Sequence, residues 1–374
     1  MNTYSFVIPT YQSKKLIRNT LQALNYLQLN EHISYEVIVV DDGSTDGTFE
    51  YIKDVNKSYK LDYIYLPRCK NSSRSRARNH GIRKALGNIV VFIDGDILVK
   101  PNYLIQLDEY FKHSEDIAVA GTRLLLNEPI DEDIVENKRI FDNEILQLLD
   151  IGIDFRHKIF SDLSYNAGSM KTPFLFALTC NLAVPKKWIE LVNGFDEDLK
   201  KWGVEDIEFV YRLYLKGLKI VLNNRNEVIH QFHGIKEADV VNENQIHEVD
   251  YNTSVFIKKH PNFMGLSEEE IYALFRSIAT HYKKLEEEDI SVYIAIEFNN
   301  INKINVLKEE INKLIHFEKT KVVIYDYVGS FELDIWLQLQ TKTKAKLCYY
   351  PCFKTIYNKH TVENIDQCVY KLKI

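Results

Sequence analysis

Two acidic pairs, an acidic dipeptide and a pair of histidines hold the chemistry that this sequence can do. Asp94-Gly95-Asp96 sets two carboxylates on either side of a glycine. That spacing lets them share one hard divalent cation, which can bridge the oxygens of a diphosphate. Gly95 is expected to let the backbone turn and a ligand come close. Asp41-Asp42 opens a second acidic turn, of which Asp42 to Gly47 mimics the start of a calcium loop. Its twelfth position is Lys53, where a bidentate glutamate should stand, so calcium is rejected there. Glu205-Asp206 opens a helix predicted over 205–216, where the macrodipole favours first-turn acids. His230 and His233 stand at i and i+3 near a predicted strand end. Neither a GxGxxG nor a GxxxxGK[ST] motif occurs, so phosphate must be held by other means.

The elements around these residues alternate. YSFVIP (4–9) and EVIVV (36–40) read as strands, the second as one buried on both faces. Leu61–Leu66 and Asn88–Ile93 read as two more, the last ending at Asp94. Helices are predicted between them, from Leu16 to Leu27, after an N-cap at Ser44 or Thr45, and over Arg74–Leu86. Such alternation predicts a parallel α/β sheet, in which ligands gather beyond the carboxyl ends of the strands. Both acidic turns fall at such ends. Further on, the sequence predicts a helix from Pro101, a strand over Ile117–Thr122, a long acidic helix over 129–149, and loop over 150–172. A strand over Phe174–Val184, a helix over Pro185–Val192, and strands over 218–223 and 227–232 follow.

The 374 residues carry 47 Lys and Arg against 53 Asp and Glu, a net charge of −6, which lacks the footprint of a nucleic-acid binder. No apolar run is long enough for a membrane span. The first residues lack a basic region followed by an apolar stretch, so no secretory signal is expected. Five scattered cysteines form no disulfide framework, and a cytoplasmic location is expected.

Four segments, FVIPTYQ (6–12), VIVVDDGSTDGT (37–48), RARNHGIRKALGNIVVFIDGD (76–96) and NGFDEDLKKWGVEDIEFVYRLYLKG (193–217), resemble family 2 glycosyltransferases of the GT-A fold. The last resembles the motif of galactosyltransferase-type enzymes and chondroitin-type polymerases. The resemblance spans residues 4–235. It implies that Pro9, Thr10 and Tyr11 line a base pocket and that Asp41, with Asp42, hydrogen-bonds a uracil. It implies that Arg76 or Arg78 contacts base or diphosphate, that Asp94 faces the ribose, and that Asp96 ligates Mn2+ or Mg2+ together with His230 or His233. Attack of a hydroxyl on an anomeric carbon needs a general base. Asp206 stands at that base's position in inverting members, and retaining GalNAc-transferases usually carry Asn there. Glu205 would hold sugar hydroxyls and Trp202 would stack on a sugar face. Val204 departs from the glycine that relatives often carry.

The reading is therefore an α/β GT-A domain over residues 1–235, with a central mostly parallel sheet. A helical extension over 236–289 and a small α/β module over 290–374 follow it. A capping box is predicted at Ser267, and the last module is predicted to hold strands near 290–298 and 345–350 and a helix over Phe331–Leu339. Cys348, Cys352, His360 and Cys368 fit no common zinc spacing. The function implied is metal-dependent, inverting transfer of a hexose or N-acetylhexosamine from a UDP-sugar to a glycan, lipid-linked or peptide/protein acceptor. The small module would serve acceptor docking or self-association, and peripheral attachment at the inner face of the membrane is compatible with it. The alternatives are a retaining transferase, a nucleotidyltransferase and a non-catalytic nucleotide-sugar-binding scaffold. IPTYQSKK lacks the Gly-rich basic loop of the second, and intact DGD, ED and HQFH sets argue against the third.

Overall fold

The computed structural model describes residues 2–162, 167, 170–234, 243–286, 292–314, 319–326, 346–350 and 370–373. The main sheet has nine strands: β1 (Asn2–Thr10), β2 (Ile33–Asp41), β3 (Lys60–Tyr65), β4 (Ile89–Ile93), β5 (Ile97–Leu98), β6 (Ile117–Leu126), β7 (Ile151–Ile153), β8 (Asn181–Pro185) and β9 (Lys219–His230). Their order is β3-β2-β1-β4-β8-β6-β9-β5, with β7 pairing with β6. β1 to β4 run parallel, β6 and β9 run parallel to each other, and β8 is antiparallel to both β4 and β6.

The antiparallel insertion of β8 matters for the site. It brings the start of β8, not its end, to the carboxyl end of β4, so that Ile93 lies opposite Asn181. β5 folds back from the Asp94–Asp96 turn and pairs Ile97 with His230 at the end of β9. Two acidic residues, the lead-in to β8 and the end of β9 thus meet at one edge of the sheet.

Helices cover both faces because successive strand residues point to opposite sides. On one face Val7, Val40, Val90 and Phe92 pack against Ala77 and Ile82 of α3 (Arg74–Lys84) and against Phe209, Val210 and Leu213 of α9 (Glu205–Leu215). Phe92 meets Phe195 and Phe209 edge-on at 5.4 and 5.9 Å. On the other, Phe6, Ile8, Val39 and Val91 pack against Ile17, Leu21 and Leu24 of α1 (Lys14–Leu24) and Leu104 and Leu107 of α4 (Tyr103–Phe111). α2 (Thr48–Ile52) and α8 (Lys186–Leu191) complete the αβ alternation. After the main sheet come α10 (Glu243–Lys259), α11 (Glu268–Arg276) and α12 (Ile278–Leu285), and Ser267 with Glu270 forms the predicted capping box. A second sheet of four parallel strands, ordered β12-β11-β10-β13, is built from β10 (Val292–Phe298), β11 (Thr320–Asp326), β12 (Lys346–Tyr350) and β13 (Tyr370–Lys373), with α13 (Ile304–Leu314) following β10.

Several expectations are corrected. The acidic helix predicted over 129–149 is broken into α5 (Glu132–Glu136), a 3-10 turn Arg139–Phe141 and α6 (Asn143–Leu148). Lys138 sits at φ +62° and Asp142 is extended, and neither conformation continues a helix. Residues read as loop contain β7 and α7 (Arg156–Asp162). Phe174–Val184 is not one strand: Pro173–Phe176 is a 3-10 turn and β8 starts only at Asn181. Phe174, Leu175 and Phe176 are buried on all sides, a pattern that periodicity cannot tell from a strand. The two strands predicted over 218–232 are one, β9, with a register shift opposite Gly121 and Arg123. Helix α2 is capped at Gly47, not at Ser44 or Thr45. The helix expected at 331–339, residues 235–242, and Cys352, His360 and Cys368 lie outside the described residues.

Candidate functional site

β1 and β2 end side by side, and their loops are laced together. Ser44 Oγ accepts the Gln12 N–H at 2.8 Å, and Gln12 Oε1 accepts the N–H groups of Thr45 and Asp46. Pro9 and Thr10 are held within β1, while Tyr11 projects beyond it with 46% of its surface exposed. The guanidinium of Arg68 lies over the Tyr11 ring at 4.0 Å. Asp41 is buried, accepting the Ser44 N–H at 2.7 Å on one carboxylate oxygen and the Tyr63 hydroxyl on the other. Asp42 accepts from Arg68 at 2.6 Å and from Arg76 at 3.2 Å. Burial raises the Asp42 carboxyl above its ordinary range despite these two arginines. Gly43 is at φ +89°, and a Cβ there would come within 2.7 Å of the Arg68 backbone nitrogen. The turn therefore needs glycine twice over, for conformation and for space.

Arg76 and Arg78, two residues apart on α3, part company. Arg76 reaches Asp42, whereas Arg78 is fully buried and reaches Asp94 at 3.0 Å and Glu205 at 3.4 Å. Arg78 thus ties the strand-end turn to the first residue of α9. Gly95 lies in the turn as expected, without a left-handed conformation; its constraint is space. A Cβ there would stand 3.2 Å from the Pro9 carbonyl and 3.3 Å from Thr10 Oγ1.

Glu205 and Asp206 have opposite electrostatics. Burial, together with the charge of Asp206, pushes the Glu205 carboxyl up to about 7, although Arg78 and Arg74 oppose the rise. Burial works against the Asp206 charge too, but Arg78 and the two donors of Thr179 outweigh it and hold Asp206 below its ordinary value. Thr179 gives Asp206 its N–H at 3.1 Å and its hydroxyl at 2.9 Å. At neutral pH Asp206 is an ionised carboxylate and Glu205 shares its site with a proton. Three buried polar atoms here have no hydrogen-bond partner: Arg78 Nε, Glu205 Oε2 and Asp96 Oδ1. Trp202 is half-buried against the core, followed by Gly203 at φ +84° and Val204 at φ +72°.

Asp96, His230 and His233 bring one ligand atom each to within 4.8 Å of one another. His230 is buried, with Nε2 at 3.5 Å from Asp96 Oδ2, and His233 is exposed with its ring edge-on to His230 at 5.1 Å. Burial raises Asp96, but the charges of His230, His233 and Arg123 outweigh it and lower the carboxyl. A carboxylate with two imidazoles, one oxygen of the carboxylate being buried without a partner, is a donor set that fits Mn2+. Both histidines take part in this group, so the choice between them is not forced.

Four contributors carry no motif in the sequence. Thr179 lies in an apolar run read as strand. Tyr63 and Arg68 come from β3 and the loop after it. Arg123 reaches Asp154 at 2.9 Å beside the fully buried Arg156 and adds positive charge near Asp96. Their positions follow from topology, which the local pattern does not encode.

Residues 5–168 match the model of glycosyl transferase family 2, and residues 164–235 match that of the galactosyltransferase N-terminal domain. A validoxylamine A glucosyltransferase of Streptomyces hygroscopicus subsp. limoneus is 27% identical over 303 residues, covering 76% of this chain and 63% of that one. A chondroitin synthase of Escherichia coli is 30% identical over 226 residues, covering 57% of this chain and 32% of that one. The match thus spans less than two thirds of either relative. A crystal structure of S. aureus TarS in complex with UDP aligns with 83% of this chain and 79% of that chain, at 17% identity and a TM-score of 0.49.

Proposed function

We propose that this chain, which matches glycosyl transferase family 2 over residues 5–168, is a GT-A glycosyltransferase that moves a hexose or N-acetylhexosamine from a UDP-sugar to an acceptor hydroxyl with inversion, Asp206 acting as general base. The observation that carries the proposal is the connection Asp94–Arg78–Glu205, made through the buried Arg78, which ties the start of α9 to the strand-end acids.

The donor's base and diphosphate would occupy the end of β1 and β2. Tyr11 offers an exposed ring for stacking. Asp41 retains lone pairs on both oxygens for a uracil N3–H, and Arg76 and Arg68 supply positive charge. Asp96 with His230 and His233 would hold Mn2+ or Mg2+, which when bound neutralises charge on a diphosphate leaving group. Arg78, held between Asp94 and Glu205, would fix the acidic pair toward the donor sugar.

In the reaction, Asp206 takes the proton of the acceptor hydroxyl as its oxygen bonds the anomeric carbon. The bond to the diphosphate breaks on the opposite face, its electron pair leaving with UDP. Thr179 holds the carboxylate oriented and ionised, which favours base over acid. The acceptor is a hydroxyl of a glycan, a lipid-linked sugar, or a peptide or protein.

Release of UDP from UDP-glucose, UDP-galactose, UDP-GlcNAc and UDP-GalNAc in the presence of Mn2+ tests the reading. One donor is expected to be consumed, with a product of inverted anomeric configuration by NMR. Release from none of them defeats the proposal, and a retained configuration defeats the assignment of Asp206.

A further inference from the structure

α12 has no fully buried residue. It meets the body of the protein through Ile278, Tyr282 and Leu285, half-buried and spaced along one helix face. Tyr282 sets its ring edge-on to Phe176 at 5.2 Å. Just past the helix, Glu286 accepts the Lys171 N–H at 2.8 Å, the Thr172 N–H at 2.9 Å and the Thr172 hydroxyl. Bonds to an ionised acceptor are roughly twice as strong as neutral ones, and Thr172 is fully buried. A weakly seated helix therefore ends in a strong polar pin.

What it pins leads to the site. Thr172 opens the 3-10 turn Pro173–Phe176, and the Phe176 carbonyl accepts from the buried Arg156 at 3.0 Å. Phe174 packs on Tyr211 and Tyr214 of α9, at 4.9 and 5.3 Å between ring centres. Thr179 then gives Asp206 its two hydrogen bonds. The stretch from Lys171 to Thr179 is held by Glu286 at its start, by Arg156 midway and by Asp206 at its end.

We infer that Glu286 is a positioning residue for Asp206: the helical extension fixes, through Thr172 and the turn after it, the placement in which Thr179 meets the general base. A misplacement of ~1 Å at a reacting group can cost ~10²-fold in rate, so a pin remote from the chemistry can matter.

Hydrogen exchange on the full-length chain tests this. Glu286→Ala removes every acceptor. Glu286→Gln keeps a carbonyl oxygen for Thr172 but turns an NH2 toward a backbone N–H, and it serves also if the alanine variant does not fold. The inference requires exchange to quicken by ~10-fold or more from Lys171 through Thr179 in Glu286→Ala, and by less in Glu286→Gln. UDP affinity in the presence of Mn2+ should be unchanged. Quickening confined to Lys171 and Thr172, with Thr179 as protected as before, overturns it. A second arm rests on the proposed glycosyl transfer: kcat for the donor that is consumed should fall ~10-fold or more while its KM holds, and unchanged kcat overturns the inference. If the unaltered chain releases UDP from no donor, that reading fails and the exchange result alone decides the pin.

Discussion

Arg78 and Glu205 stand 3.4 Å apart, both buried, and each keeps one polar atom, Nε and Oε2, without a hydrogen bond. Leaving such an atom dry costs about 1–3 kcal/mol, a cost the fold bears to hold Arg78 between Asp94 and Glu205. Arg78→Lys keeps the charge and loses Nε and the fork. It is expected to lower kcat/KM by ~10²-fold while UDP alone binds almost as before, since Lys does not replace Arg at a two-partner site. Titration calorimetry with UDP and steady-state donor kinetics measure the two, and unchanged kinetics would make the pair purely structural.

Asp206→Asn should leave UDP binding nearly unchanged and abolish transfer, because the amide cannot take a proton. Thr179→Val is the finer test. Losing the hydroxyl removes one of the donors that hold Asp206 ionised, so its carboxyl rises. The acid limb of the kcat–pH profile should then move to higher pH, a shift that damage elsewhere would not produce.

Glu205 has its ordinary value of 4.5 when exposed and about 7 in the folded chain. Between those values the unfolded carboxyl is ionised while the folded one keeps its proton. The contribution of Glu205 to stability therefore falls as pH rises through that window, by roughly 3 kcal/mol on the size of the shift. Glu205→Gln should flatten this segment of the stability profile and gain most over wild type near pH 8. Urea unfolding at pH 5 and pH 8 checks it, and parallel profiles for the two proteins would refute it.

Asp96→Ala should weaken Mn2+-dependent UDP binding by ~10-fold or more, and a chelator should do the same to the unaltered chain. With the metal chelated, the two proteins should bind UDP alike. His230→Ala is expected to follow Asp96→Ala closely, its ring being buried at 3.5 Å from that carboxylate. A full Mn2+ effect in both variants would move the cation elsewhere.

Val204 holds φ +72° with only 5% of its surface exposed. A β-branched residue there carries strain of about 1–2 kcal/mol that glycine would not. Glycine also forfeits the buried side chain, worth about 1.5–3 kcal/mol. Alanine loses most of the packing and keeps the strain. Val204→Ala should therefore be less stable than Val204→Gly, by urea midpoints, an order that glycine's preference over alanine at a helix N-cap reinforces.

Two strands of the first hundred residues were legible as continuous β-branched runs ending in a turn signal, and the other two as short runs rich in aromatic and aliphatic residues. EVIVV lies within β2, and NIVVFI ends at the acidic turn as read. The acidic turns and Glu205-Asp206 stood out for the same reason, as charge abutting apolar runs. Thr179 did not, since a buried threonine in an apolar stretch is indistinguishable from sheet packing. Nor did the division of labour between Arg76 and Arg78, which depends on α3 facing two loops at once. The broken helix at 129–149 shows the limit of an amphipathic pattern: it survives a left-handed residue at Lys138 that ends the helix.

The insertion of β8 beside β4 also bears on the order of folding. Arg78 and Glu205 are 127 residues apart in the chain, and Asn19 and Gln231, 2.8 Å apart, are separated by 212. Contacts of such separation close late, after the loop entropy between them has been overcome. The β1–β4 half can collect its own strands early, but it then presents its carboxylates to water with no Glu205, Thr179 or His230 opposite. During refolding, affinity for Mn2+ and UDP should be among the last properties to return, well after the bulk of the circular dichroism signal.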